Sequence, residues 1–342
     1  MAVAEPLAVL LIGGSGFMGR HVARELCAEG HRVTVLSRGK RDPVAGAVAL
    51  TADRQDPASL AAALENQRFD VTIDFVAYDA TDIERLLLVP YAALGRYFLI
   101  STGQVYLVTE GAEPPFREED AEFPVRAEPE AGTRDHANWT YGLGKRRAEK
   151  ALLALRATHG VRGVALRLPI VQGEGDGSLR LWAYLERMLD GGPLVLPDGA
   201  QRLTRFLHVG DLARTLARLA ASPSPRGAAY NLAQPDVLPL KTFLERVARA
   251  AKLEVRFVDA TWEECRASGL DENFSPYAGQ WTSVIDPSRA AAEWGFVGTR
   301  VDDYLPQLVR WTLEHRPAES DIGFAQRAQE LALAARLAGA AR

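Results

Sequence analysis

The sequence predicts an α/β fold, a doubly wound parallel sheet covered by helices on both faces. Three observations predict it. Short apolar strands alternate with helical runs through the first half of the chain. The first strand leads into a glycine-rich turn that opens a helix, VLLIGGSGFMGRHV, residues 9 to 22. The alternation holds up to about residue 174, beyond which the pattern is less regular.

In chain order, LAVLLI (7–12) reads as a buried strand and HVARELCAEG as a helix ending at Gly30. RVTVLS is the next strand, PASLAAALENQ a helix and VTIDFVA a strand. IERLLLVPYAAL reads as a helix that Pro90 should end or kink. RYFLIS is again a strand. Residues 110–135 then break the pattern with nine acidic and three basic residues among several prolines, so a long surface loop is expected. It either covers a site or is a solvated insertion. A further helix is read from Tyr141, followed by the strand GVALRLPIV. DGGPLVLPDG and PSPRG read as loops. The tail ESDIGFAQRAQELALAARLAGAAR reads as a helix with Ala and Leu on one face, for packing or an oligomer contact.

Composition excludes several functions. With 342 residues, 47% hydrophobic and 25% charged, the chain can bury an ample core. A formal charge of -4 leaves no electrostatic footprint for nucleic acid or an anionic membrane. Cys27 and Cys265 stand far apart, so no disulfide framework is implied. The apolar run Leu7 to Ile12 is too short for a signal or membrane span, and a reducing cytoplasmic location is expected. The six histidines form no H-E-x-x-H or similar cluster, so no metal site is expected, and His208 reads as a structural hydrogen-bonder. No G-x-S-x-G is present, which argues against an α/β-hydrolase.

The glycines carry more. Gly13, Gly16 and Gly19 give G-x-x-G-x-x-G, and Gly14, Gly16 and Gly19 satisfy G-x-G-x-x-G. Alone, either pattern could be a tight turn. Placed between an apolar strand and a helix, it matches the dinucleotide-binding fingerprint of a Rossmann-type sheet. Small residues let backbone amides approach a pyrophosphate, and the helix N-terminus favours its charge. Gly13, Ser15, Gly16, Phe17, Met18 and Gly19 are therefore the candidate contacts.

The end of the second strand addresses which dinucleotide. NAD sites commonly place an acid there, about 20 residues on, for the ribose hydroxyls. This chain has Ser37-Arg38, then Lys40 and Arg41. A guanidinium can clasp a 2′-phosphate that an acid would repel. NADP is predicted through Arg38, with NAD and a merely solvated basic turn as the alternatives.

WTYGLGKRRAEKAL holds Tyr141-x-x-x-Lys145, which puts both side chains on one helical face. A phenol of reference pKa about 10 becomes a usable proton carrier when an ammonium stabilises its phenolate. The earlier strand end LISTGQVY offers the hydroxyls of Ser101 and Thr102 beside the expected nicotinamide.

Together these features resemble the extended short-chain dehydrogenase/reductase family, the NAD-dependent epimerase/dehydratase group. The resemblance spans about residues 7 to 300 and includes the glycine turn, ISTGQVY, YGLGK with Ala148-Glu149, LRLPIVQG, FLHVGDLA and YNLA. It implies that Thr102 bonds the substrate oxygen and Tyr141 is the acid/base. Lys145 would bond the nicotinamide ribose and tune Tyr141. It also implies that Asp53 and Arg54 meet adenine and that Val76 lies near the cofactor. A homodimer is implied. So are a cofactor domain over 1–172, a substrate domain over 173–317 and a C-terminal helix over 318–342, with segments near 205–235 and 280–300 crossing back.

Departures from the family matter as well. Dehydrating members carry Asp-Glu after the Thr, whereas Gly103-Gln104 stand here, so dehydration by that route is not expected. Where nucleotide-sugar enzymes have R-x-x-N, this chain has Arg167-Leu168-Pro169-Ile170. The diphosphate-clasping Arg position holds Thr204, and Arg205, one place later, would face the other way on a strand. Leu107 replaces the Gly that usually follows the motif's Tyr. Gln104, His136 and Arg205 are candidate substrate contacts, His136 with a surface role as its alternative. The expected function is NADP-dependent hydride transfer at a secondary alcohol or ketone of a sugar-like or natural-product small molecule, as an oxidoreductase or epimerase. The alternative is a non-catalytic NAD(P)-binding or RNA-binding protein, because IDFVAY and DGGPLVLPDG resemble a branch that includes a chloroplast RNA-binding protein.

Overall fold

A computed structural model describes residues 5–89, 93–318 and 322–340. From the N-terminus it runs β1 (Ala8–Ile12), α1 (Phe17–Ala28), β2 (Arg32–Ser37), β3 (Val48–Thr51), α2 (Pro57–Leu64), β4 (Val71–Asp74) and α3 (Ala80–Glu84). Then come β5 (Arg96–Thr102), α4 (Gln104–Leu107), α5 (Arg134–His159), β6 (Gly163–Leu168) and β7 (Ile170–Gln172). The rest comprises α6 (Arg180–Leu189), β8 (Leu194–Pro197), β9 (Leu203–Thr204), β10 (Phe206–His208), α7 (Val209–Ala221) and β11 (Ala229–Asn231). After these lie β12 (Leu238–Pro239), α8 (Leu240–Ala251), β13 (Phe257–Ala260), α9 (Trp262–Ala267), α10 (Ser288–Trp294), α11 (Val301–Glu314) and α12 (Arg327–Ala340).

The chain divides into two units: the residues up to Val171 with Leu207–Ala233 and Ile285–Gly298, and Gln172–Phe206 with Gln234–Val284 and the residues from Thr299. The first unit holds a seven-stranded sheet in the order β11-β6-β5-β4-β1-β2-β3. Its strand pairs are parallel. Alternate residues feed two cores. Val9, Leu11, Val33 and Val35 pack with Val22 and Leu26 of α1 and Leu212 and Leu216 of α7. Leu10, Ile12 and Leu36 pack on the other face with Leu60 and Leu64 of α2 and Ala148 and Leu152 of α5. Helices on both faces explain why LAVLLI is continuously apolar rather than alternating. This is the doubly wound Rossmann-type α/β fold. Strand order reverses between β1 and β4, and the crevice at the C-terminal ends of such a pair is where these sheets hold ligands.

Several elements differ from expectation. β3 is an additional edge strand, mostly exposed. VTIDFVA is a strand only to Asp74. The segment IERLLLVPYAAL contains the end of the short α3 and a 3-10 turn over Arg85–Leu88, while Pro90, Tyr91 and Ala92 lie outside the described residues. α5 starts at Arg134, ahead of Tyr141, because the Thr133 side chain caps it by accepting the His136 N–H. GVALRLPIV is split at Pro169 into β6 and β7. The acidic stretch forms a 3-10 turn over Glu118–Glu122, and Phe116, Glu118 and Ala121 are buried, so it is docked rather than only solvated.

In the second unit LVLP, expected as loop, is the fully buried β8, paired in parallel with β13. The parts of the tail at 319–321 and 341–342 lie outside the described residues. α12 packs: Leu333 and Ala334 join a core with Cys265 and Phe274. The buried Glu330 accepts from Arg187 Nη1 at 3.1 Å, from the Val195 N–H at 2.9 Å and from Arg327 Nη1 at 2.7 Å.

Candidate cofactor and active site

The turn after β1 is built around glycines that cannot carry side chains. Gly13 has φ +78°, and a Cβ there would stand 2.6 Å from Val76 Cγ1. A Cβ on Gly19 would stand 2.5 Å from Gly14 Cα, so α1 can approach the turn only as glycine. Gly16 caps α1 without a side-chain hydrogen bond, and the first helical bond is Arg20 N–H to the Gly16 carbonyl at 2.9 Å. The amides of Phe17, Met18 and Gly19 precede that ladder, with no acid in the first turn. A cradle of this kind suits an anion.

That turn opens on a cavity of about 490 Å³ at the β1–β4 switch point. The residues assigned above to the cofactor, Lys145 apart, line it: the glycine turn, Arg38, Asp53, Arg54 and Val76. Its rim is basic. Arg38, Lys40 and Arg41 are exposed, and Arg41 Nη1 lies 3.4 Å from the place a Gly16 Cβ would take. Arg20 pins this loop, donating from Nε to the Ser15 carbonyl at 3.1 Å and from Nη2 to the Asp42 carbonyl. Ser37 Oγ accepts the Gly39 N–H at 3.3 Å. A second cavity, of about 610 Å³, opens at the opposite edge, beside the starts of β4, β5 and β6, away from these groups.

Asp53 accepts the Gln55 N–H at 2.9 Å. Arg54 is buried, with Nη1 on both oxygens of Asp74 and Nη2 on the Asp82 carbonyl at 2.7 Å. Asp74, fully buried, also accepts from Tyr97 Oη and, at 2.8 Å, from the Val76 N–H. Asp82 Oδ2 accepts the Tyr78 N–H at 2.7 Å. The loop from β4 to α3 is thereby fixed at both ends.

Thr102 ends β5, and its Oγ1 accepts the Gln104 N–H at 3.2 Å. Tyr141 and Lys145 both lie on α5. Two glycines bring that helix in: a Cβ on Gly142 would stand 2.8 Å from the Gln104 carbonyl, and one on Gly144 2.6 Å from the Tyr78 carbonyl. The motif YGLGK is thus a packing device as well as a chemical one. Tyr141 is 37% exposed, whereas Lys145 is 2% exposed and donates to the Ile100 carbonyl at 2.9 Å. Burial pushes the Lys145 ammonium down to about 8, partly offset by Asp74 and Glu149.

Behind Thr102 the quoted motifs meet in one buried network. Ser101 Oγ donates to Glu149, which pairs with Arg167 Nη2 at 2.6 Å. Arg167 Nη1 donates to Tyr106 Oη at 2.9 Å and to the Glu118 carbonyl at 2.7 Å. Tyr106 Oη donates to Asn231 at 2.7 Å, and Glu118 accepts the Asn231 N–H at 2.8 Å. Burial pushes the Tyr106 phenol and the Glu118 carboxyl up.

His136 and Gln104 are not among the residues that line this cavity. His136 Nε2 lies 2.9 Å from Glu128 in the first turn of α5. Arg205, in the second unit, is buried and donates from Nε to the Gln234 carbonyl at 2.7 Å. Gln104 is half-buried at the start of α4. No cluster of His, Cys, Asp and Glu able to hold a metal occurs among the described residues, and none of the described helices is long and apolar enough to cross a membrane. Sequence reasoning missed Tyr78, whose ring is 4.8 Å from Lys145 Nζ and 6.2 Å from the Tyr141 ring. It ends the quoted stretch IDFVAY, which gave it no role.

The profile of the NAD dependent epimerase/dehydratase family matches residues 9–233. A 2′-dehydrokanamycin reductase from Streptomyces kanamyceticus is 28% identical over 288 residues, 82% of this chain and 77% of the relative. The chloroplast stem-loop binding protein of 41 kDa b from Arabidopsis thaliana is 25% identical over 66% of this chain and 58% of its own length. Among solved structures, a UDP-glucose 4-epimerase from Thermotoga maritima superposes with a TM-score of 0.70 at 16% identity, over 91% of this chain and 100% of that one. That likeness is one of fold.

Proposed function

We propose a function from one premise: the chain belongs to the NAD dependent epimerase/dehydratase family and is an NAD(P)-dependent enzyme of that type. The finer reading is an NADP-dependent oxidoreductase or epimerase acting on a secondary alcohol or ketone of a sugar-like or natural-product small molecule. It rests on a single observation, the cavity that joins an uncapped glycine turn to a rim of Arg38, Lys40 and Arg41. The glycine positions fit a dinucleotide, because side chains at Gly13 and Gly19 would meet Val76 and the Gly14 backbone and push the turn and α1 apart. The nicotinamide, when bound, supplies or accepts the hydride.

The chain's own residues then handle the proton. Thr102 Oγ1 holds the substrate oxygen, and Tyr141 Oη takes its proton on oxidation or returns it on reduction. The Lys145 ammonium stabilises the Tyr141 phenolate and bonds the nicotinamide ribose. Gly103-Gln104 offer no carboxylate for eliminating water, so the reaction is hydride transfer without dehydration. The reading includes a homodimer and a cytoplasmic location. The stem-loop binding relative keeps an RNA-binding alternative in view; Thr102, Tyr141 and Lys145 together favour the enzyme.

Tyr141→Phe is the test. NADPH oxidation is followed by absorbance across a panel of sugar-nucleotide and natural-product ketones, with cofactor affinity measured alongside. Turnover should fall by about 10² to 10⁴-fold while affinity stays largely intact. Near-normal turnover removes Tyr141 from the chemistry.

A further inference from the structure

Tyr78 is the residue that joins the cofactor cavity to the catalytic pair. It lines the cavity, and its ring centroid lies 4.8 Å from Lys145 Nζ and 6.2 Å from the Tyr141 ring. Its backbone is held from two sides: Asp82 accepts its N–H at 2.7 Å, and its carbonyl stands where a Cβ on Gly144 would be 2.6 Å away. The ring therefore has a fixed base beside α5.

We propose that Tyr78 is a positioning residue whose ring face holds the Lys145 ammonium in place for the nicotinamide ribose. The inference rests on the reading of Lys145 given above. Lys145 is 2% exposed, with the Ile100 carbonyl as hydrogen-bond partner at 2.9 Å. An ammonium so buried needs further compensation, and the face of an aromatic ring supplies it. The charged groups around it are Asp74 at the end of β4, Glu149 one turn further along α5, Arg54 after β3 and Asp82 in α3. Arg54 opposes the ammonium and the three carboxylates favour it. Burial, with Asp74 beside it, pushes the Tyr78 phenol up, so its ring stays neutral where Lys145 titrates.

The test reads cofactor binding and needs no substrate. NADPH affinity is titrated by fluorescence from neutral to alkaline pH in the full chain. If the ribose needs the ammonium, the dissociation constant is flat at lower pH and rises above a break near the Lys145 value of about 8. Tyr78→Leu keeps apolar bulk without the ring and should move the break down by about half a pH unit. Tyr78→Phe restores the ring and should restore the wild-type break. Lys145→Ala should show no break. If Tyr78→Leu breaks where the wild type does while Lys145→Ala loses the break, the role of Tyr78 is overturned and that of Lys145 stands. If Lys145→Ala keeps the break, the ribose contact falls, and this inference with it.

Discussion

Arg167→Leu is expected to destabilise the fold by about 3 to 5 kcal/mol, because it leaves the Glu149 carboxylate buried without its partner. The guanidinium is 4% exposed and meets Glu149, Tyr106 Oη and the Glu118 carbonyl together. Removing it also strands the acceptors that tie β6 to the acidic segment. Chemical denaturation followed by circular dichroism measures the loss. Replacing Glu149 by leucine in the same chain should recover much of it, since an apolar pair has no charge to desolvate. A loss as small as that of an exposed ion pair, below about 1 kcal/mol, would show that the network is not buried in solution.

Gly19→Ala is the second change of large expected effect. The added Cβ would meet the Gly14 backbone at 2.5 to 2.7 Å, and backbone cannot yield as a flexible side chain would. α1 must then lift away from the turn, taking the amides of Phe17 and Met18 with it. Overpacking of this kind costs about 1 to 3 kcal/mol, so NADPH affinity should fall by roughly 5- to 150-fold. Gly177→Ala, where nothing lies within 4 Å, is the control and should bind normally. Unchanged affinity in Gly19→Ala would mean that the turn does not hold the cofactor.

Much of the sheet was legible because its strands are buried on both faces and read as apolar runs between helices. β3 was not: VALT is short, and three of its residues are exposed. β8 was hidden because its four residues, LVLP, lie between GGP and DG, both turn signals. The start of α5 was placed too late because its first turns carry few apolar residues, and the cap that decides it is the single hydroxyl of Thr133. At the site, the glycine turn and Tyr141-x-x-x-Lys145 were legible because each is local. The partners that hold them are not. Arg54 and Asp74 are 20 residues apart, Ser101 and Glu149 48, and Tyr106 and Asn231 125, so only the folded chain brings them together. Tyr78 was overlooked for the same reason.

The central claim is that the cavity after β1 holds NADP, selected by the exposed Arg38 just after β2. The most direct measurement is titration of NADPH and NADH against the wild type and Arg38→Asp at one fixed salt concentration. A charge-assisted pair with the 2′-phosphate contributes about 1.5 to 3 kcal/mol, so the wild type should prefer NADPH by roughly tenfold or more. Arg38→Asp should lose that preference chiefly by weakening NADPH. Equal affinities for the two cofactors in the wild type, or an Arg38→Asp variant that keeps its preference, would contradict the account.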